Sequence, residues 1–174
     1  MHDYKEHADP EVRREQSHCV AAILARYFDE HRDALVAQFG EWDNVVAVPS
    51  THHDNAPALQ TAIEVNFPDA LGPFSRPIVR GPGVMKFNQA SESGFVPAAA
   101  TTACRVLLVD DTYTTGARLQ SAHHAIVAAG SSVVAAVVVT RKINPDPRYG
   151  SDLLWERQMA VPFDFSAMPW WTLT

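Results

Sequence analysis

The chain has 174 residues, with 20 acidic against 14 basic side chains mixed along its length and a formal net charge of −6. That is one domain with room for a substantial core, and its charge speaks against a general nucleic-acid-binding surface. No apolar run reaches membrane-spanning length and the amino terminus carries no apolar signal region. Cys19 and Cys104 stand in no metal-type spacing, so a cytoplasmic protein with two free, packed thiols is expected.

Residues 1–8 are polar. Asp9-Pro10 reads as a helix start, with Asp as N-cap and Pro in the first turn. Val20, Ile23, Leu24, Tyr27, Phe28, Leu35 and Phe39 recur at helical spacing, and Gly40 stops the run. Arg13, Arg14, Glu15, Asp29, Glu30 and Arg32 face water in this reading, with room for one break near Glu30. Asn44–Val48 reads as a strand that halts at Pro49, which cannot donate to a ladder. The polar loop Ser50-Thr51-His52-His53-Asp54-Asn55 follows, and Ala56-Pro57 opens a helix to about Phe67. After a turn-rich connector comes a short strand, Pro77–Arg80. Gly81–Gly94 has mixed polarity and no clean period, as expected of a functional lid or a disordered stretch.

Val106–Val109 is an uninterrupted apolar run, the signature of a strand buried on both faces in a parallel sheet. Asp110 and Asp111 end it, Thr112-Tyr113-Thr114-Thr115-Gly116 turns, and a helix runs from Ala117 to Ala129 before Gly130. Leu119, Ala122, Ile126 and Val127 share one face of that helix. Strand, acidic pair, Thr/Gly turn and helix together place backbone N–H groups around a phosphate. Adjacent carboxylates repel a bare phosphate. They suit a sugar phosphate, whose hydroxyls donate to them, or a hard cation riding on the ligand. An ordinary strand–turn–helix would not call for two carboxylates followed by phosphate-friendly residues. His123 and His124 lie in no ligand spacing and read as helix-surface or packed residues. Val133–Val139 reads as the next buried strand, with Thr140–Pro145 at its carboxyl end and therefore on the ligand side of the sheet. Beyond Pro145 the chain holds several prolines and Trp155, Phe163, Phe165, Met168, Trp170 and Trp171, too irregular for a further β-α unit.

The run of four apolar residues, Asp-Asp, two residues and Thr-Thr-Gly resembles the phosphoribosyl-pyrophosphate (PRPP) motif of type I phosphoribosyltransferases. The resemblance covers Asn44–Pro145 in topology and is strongest over Cys104–Gly130. It implies a three-layer α/β fold with a central, mostly parallel sheet, helices on both faces and a small hood from the terminal segments. All of this falls in one domain, 1–174, with a core of about 44–145. The implied activity is Mg2+-dependent transfer of phosphoribosyl from PRPP to an acceptor. Thr112, Tyr113, Thr114, Thr115 and Gly116 are then assigned to the 5′-phosphate. Asp110 and Asp111 are assigned to the ribose hydroxyls, directly or through the metal shell. The loop after the first core strand is assigned to pyrophosphate through Ser50, Thr51 and His52. That loop carries no Arg or Lys, so Arg80 and Lys86 are the candidate cations, the latter on a lid that closes over the site and excludes water. In the family, terminal segments select the acceptor, and Trp170 or Trp171 would stack on a ring. Anchoring of the tail on the core is the competing role for each Trp.

Within the superfamily the chain is similar to the ComF-type branch, which has Asp-Asp, two residues, Thr-Thr-Gly-Ala and a Tyr-Lys pair near its start, here Tyr4-Lys5. It lacks that branch's Arg-Gly-Phe-Asn stretch and the zinc-ribbon cysteines of longer members. Enzymes that salvage 6-oxopurines place an Asp two residues before the motif glycine; Thr114 stands there, which turns the chain away from hypoxanthine and guanine. Two readings remain at this point. One is a transferase acting on PRPP and a small-molecule acceptor. The other is a non-catalytic PRPP- or nucleotide-binding module, competence-associated or regulatory. A homodimer is left open, and neither membrane nor nucleic acid is expected as a partner. A hydrolase or phosphatase using the Asp pair lacks a second cluster of metal ligands.

Overall fold

The computed structural model describes residues 3–50, 57–86, 88–99 and 101–167. In chain order the elements are α1 (Asp3–Glu6), α2 (Pro10–Phe39), β1 (Asn44–Ala47), α3 (Ala58–Asn66), β2 (Ile78–Arg80), β3 (Phe95–Pro97), β4 (Arg105–Tyr113), α4 (Ala117–Ala128), β5 (Ser132–Arg141), a 3-10 turn at Pro147–Tyr149, and α5 (Asp152–Ala160). Thr51, His52, His53, Met168, Trp170 and Trp171 lie outside the described residues.

β4 is the middle strand of a parallel sheet ordered β1-β4-β5. Strand side chains alternate between faces, and here the alternation sorts the core into two halves. Val45, Ala47, Leu107 and Val109 face α2 and α3. Val46, Val48, Val106 and Leu108 face α4 and the β2–β3 pair. The result is an α/β fold with helices on both faces, and burial of β4 on both sides explains its uninterrupted apolar run. Phe95 of β3 is fully buried in the second half. Phe95→Ala is expected to cost roughly 3–5 kcal/mol, read as a lower urea midpoint.

Several expectations hold at the level of elements. Asp9 caps α2, its side chain accepting from the Glu11 N–H at 2.8 Å. Gly40 ends the helix at φ +84°, with its N–H on the Val36 carbonyl. α2 is unbroken at Glu30, because His31 takes a buried place on the same face as Phe28 and Leu35. Ile23 and Phe39, expected on that face, are 40% exposed.

Other expectations are corrected. Cys19 is exposed on α2 rather than packed. β5 is half-exposed along Val133–Val139 rather than buried, since it pairs with β4 alone and no further strand is described beside it. The stretch 81–94 has structure: β2 and β3 pair antiparallel, and the ladder continues outward through Gly81–Gly94 and Gly83–Ser93 backbone bonds and a Lys86–Gln89 bridge. The carboxy-terminal stretch is not wholly irregular. It forms α5, which buries none of its residues and leaves Leu153 and Met159 about two-thirds exposed. His31 Nε2 lies 2.5 Å from the Phe165 carbonyl oxygen and so ties this segment back to α2.

Candidate functional site

β4 does not stop at the acidic pair, as its sequence suggests. It pairs with β5 through Asp110 opposite Val138 and Thr112 opposite Thr140, to Tyr113 opposite Arg141. Strand alternation starts the two side chains on opposite faces of β4, yet the carboxylates remain neighbours: Asp110 Oδ1 accepts from the Asp111 N–H at 3.0 Å, and Asp111 is near enough to push the Asp110 carboxyl up. Asp110 points with Leu108 toward α4, where Arg118 stands 3.7 Å from its Oδ1. Asp111 points with Val109 toward the α1–α2 layer. There the Tyr4 hydroxyl donates to Asp111 Oδ2 at 2.8 Å, and the Lys5 ammonium is ion-paired to the same oxygen. Both carboxylates are 4% exposed, so each needs its partner.

Their protonation follows their neighbours. Burial pushes Asp110 up to about 6, against the Arg118 charge and with help from Asp111. Burial disfavours the Asp111 carboxylate too, but the Lys5 hydrogen bond and charge and the Tyr4 hydroxyl outweigh it, so Asp111 is held below the usual range. Burial, then the Asp111 charge, hold the Tyr4 hydroxyl protonated well beyond its ordinary range.

The turn after β4 is built for close approach. Gly116 sits at φ +79°, and a Cβ there would come within 2.7 Å of the Tyr113 hydroxyl. A side chain at that position is strained both sterically and in backbone conformation. Gly116 is also the N-cap of α4, with no side-chain capping bond. The 12-residue helix thus presents its positive end to the turn. Thr115 Oγ1 accepts from the Ala117 N–H at 3.4 Å, and Thr114 is exposed. Thr140 Oγ1 donates to the Asp111 carbonyl at 3.1 Å, fixing the backbone between the pair and the turn.

The parallel β1–β4 pairing brings the carboxyl ends of both strands together, as two adjacent ligand loops require. Arg118 joins them by donating to the Pro49 carbonyl at 3.2 Å. Ser50 is half-buried at the start of this loop, and Thr51 and His52 lie outside the described residues. Arg80 is committed elsewhere: its guanidinium donates to the Gly94 carbonyl and, at 2.7 Å, to the Gly83 carbonyl. Lys86 is exposed on the outer part of the hairpin. Sequence reasoning gave no role to Tyr4, Lys5, Arg118 or Thr140. The Tyr-Lys pair was visible as a family pattern, but what it touches was not.

Among the described residues no three His, Cys, Asp or Glu side chains group as a metal cage. Asp110 and Asp111 are the carboxylates beside the turn whose oxygens could meet a hard cation or its water shell. No described helix is long and apolar enough to cross a membrane. No protein-family description and no curated protein matches the chain. Among solved structures, the UMP synthase of Leishmania donovani aligns at 17% identity with a TM-score of 0.42, over 82% of this chain and 30% of that one. The chain thus spans about a third of the length of that protein.

Proposed function

We propose that the chain is a Mg2+-dependent phosphoribosyltransferase of the type I fold, in the ComF-type branch, acting on PRPP and a small acceptor other than a 6-oxopurine. The observation that carries this reading is a buried Asp-Asp pair on the middle strand of a parallel sheet, followed at once by a glycine turn and a helix start. The 5′-phosphate lies on the N–H groups of Thr112–Gly116 and the hydroxyls of Thr114 and Thr115. Asp110 and Asp111 accept from the ribose hydroxyls. The bond from C1 to the pyrophosphate oxygen breaks, its electron pair leaving with pyrophosphate. The acceptor then gives a lone pair to C1 and passes its proton to water. Positive charge develops on the ring between these events, as in glycoside hydrolysis, and the nearby carboxylates favour it. A bound Mg2+ supplies neutralisation of the leaving pyrophosphate. A cytoplasmic setting belongs to the same reading.

A binding module without turnover is the second reading. It is favoured by the engagement of Arg80 on its own hairpin and by the lack of Arg or Lys in Ser50–Asn55. The test is calorimetry with PRPP and Mg2+, followed by a pyrophosphate-release assay across purine and pyrimidine bases. Release with one acceptor establishes the transferase. Binding with no release for any base favours the module, and no binding at all removes both.

A further inference from the structure

Within the phosphoribosyl reading, none of the cations that the sequence assigns to pyrophosphate is placed for it, and Arg118 is engaged with Asp110 and the Pro49 carbonyl. The loop after β1 contains none, Arg80 is held by backbone carbonyls, and Lys86 is exposed on the hairpin. The structure places another cation at the acidic pair. Lys5 directly follows Tyr4, whose contact with Asp111 spans 107 residues of sequence. It nevertheless sits on Asp111 Oδ2.

Two donors share that one oxygen, and burial distinguishes them. Tyr4 is 3% exposed, and its carbonyl accepts from the Ser17 hydroxyl of α2 at 3.4 Å, so it is anchored. The Lys5 side chain is 30% exposed, on a flexible four-carbon stem. An arriving ribose hydroxyl needs the acceptor that Lys5 now occupies. Of the two residents, only Lys5 can leave without breaking the core, and its charge is the one a diphosphate attracts.

We propose that Lys5 is the resident counter-ion of Asp111, which leaves that carboxylate when PRPP binds and pairs with its pyrophosphate, while Tyr4 stays to orient the carboxylate. Asp111 is thereby kept ionised and charge-balanced before the ligand arrives. Its cation then serves the leaving group. α1 becomes a part of the binding site supplied by the far end of the chain.

The test is calorimetry on the full chain with two probes, PRPP with Mg2+ and ribose 5-phosphate, which shares the sugar and phosphate but lacks pyrophosphate. Lys5→Gln keeps a donor for Asp111 and removes the charge; Lys5→Arg keeps the charge. The expected result is an affinity for PRPP lowered about tenfold in Lys5→Gln. Ribose 5-phosphate should bind Lys5→Gln as well as or better than wild type, and Lys5→Arg should recover most of the PRPP affinity. Equal losses for both probes would show a merely structural role and overturn the proposal. So would wild-type PRPP binding by Lys5→Gln. If wild-type protein binds neither probe, the phosphoribosyl reading itself fails and the role of Lys5 falls with it. A loss of PRPP binding confined to Lys5→Gln supports both.

Discussion

Asp111→Asn is expected to lower the affinity for PRPP and Mg2+ by roughly 2–3 kcal/mol, about 30- to 150-fold. The reason is the position of the carboxylate. It is buried at the carboxyl end of the middle strand, and its backbone carbonyl is fixed by Thr140. Asn keeps an oxygen for the Tyr4 hydroxyl, so the α1 contact persists in part. It removes the charge that the ribose hydroxyls and the ligand-borne cation use. The fold should lose little, because the Lys5 partner is partly exposed and can turn to water. Calorimetry beside a thermal melt separates the two effects. Wild-type PRPP affinity in a folded Asp111→Asn protein would sink the sugar-phosphate assignment.

The neighbouring position should behave in the opposite sense. Asp110→Asn is expected to stabilise the free protein at neutral pH by roughly 2–3 kcal/mol, or about 4–12 °C in melting temperature. Burial raises the folded-state pKa of Asp110 from 3.8 to about 6. Between those values the folded protein holds a proton that the unfolded chain has released. The wild-type protein therefore gains stability as pH falls from about 6 towards 4, and the ionised form is the costly one above 6. Asn is neutral throughout, so its advantage should be full near pH 7.5, shrink through this window and vanish below it. Asp111 has the reverse sign: its held-down pKa contributes stability above 3.8 that is lost in stronger acid. Melting curves across pH 4–8 read the difference directly. A flat difference, or a destabilised variant at pH 7.5, would mean that Asp110 is well solvated or well paired. A carboxylate that costs stability where it stands is the expected mark of a functional position.

Much of the frame was legible from residue pattern. Asp9-Pro10 and Gly40 bound α2 because caps and turns are local chemistry. The apolar runs at Val45–Val48 and Val106–Val109 announced a parallel sheet, because strands covered on both sides need no polar alternation. What escaped was set by tertiary partners. Asp is depleted in strands, so β4 seemed to end at Val109; pairing with β5 carries it four residues further, to Tyr113. That extension changes the site, since it gives the two carboxylates different partners, Arg118 for Asp110 and Tyr4 with Lys5 for Asp111. β5 has the apolar run of a buried strand, but run length says nothing of which strand lies at an edge. Residues 3–6 are too few and too polar to announce a helix; Tyr4 makes sense only beside Asp111. Likewise, Arg80 has the charge for a phosphate, and only the hairpin shows that its donors are already in use.

The contact between α1 and β4 also has an order in time. During synthesis Tyr4 and Lys5 emerge 107 and 106 residues ahead of Asp111, as the separation of the Tyr4 bond records. A four-residue helix cannot persist alone, and closing so long a loop is entropically costly until other contacts have drawn the ends together. The first turn of the chain therefore waits for the strand that carries the acidic pair. Under the proposed function, a protein whose sheet is complete but whose amino-terminal turn is still loose would be folded and yet bind PRPP poorly.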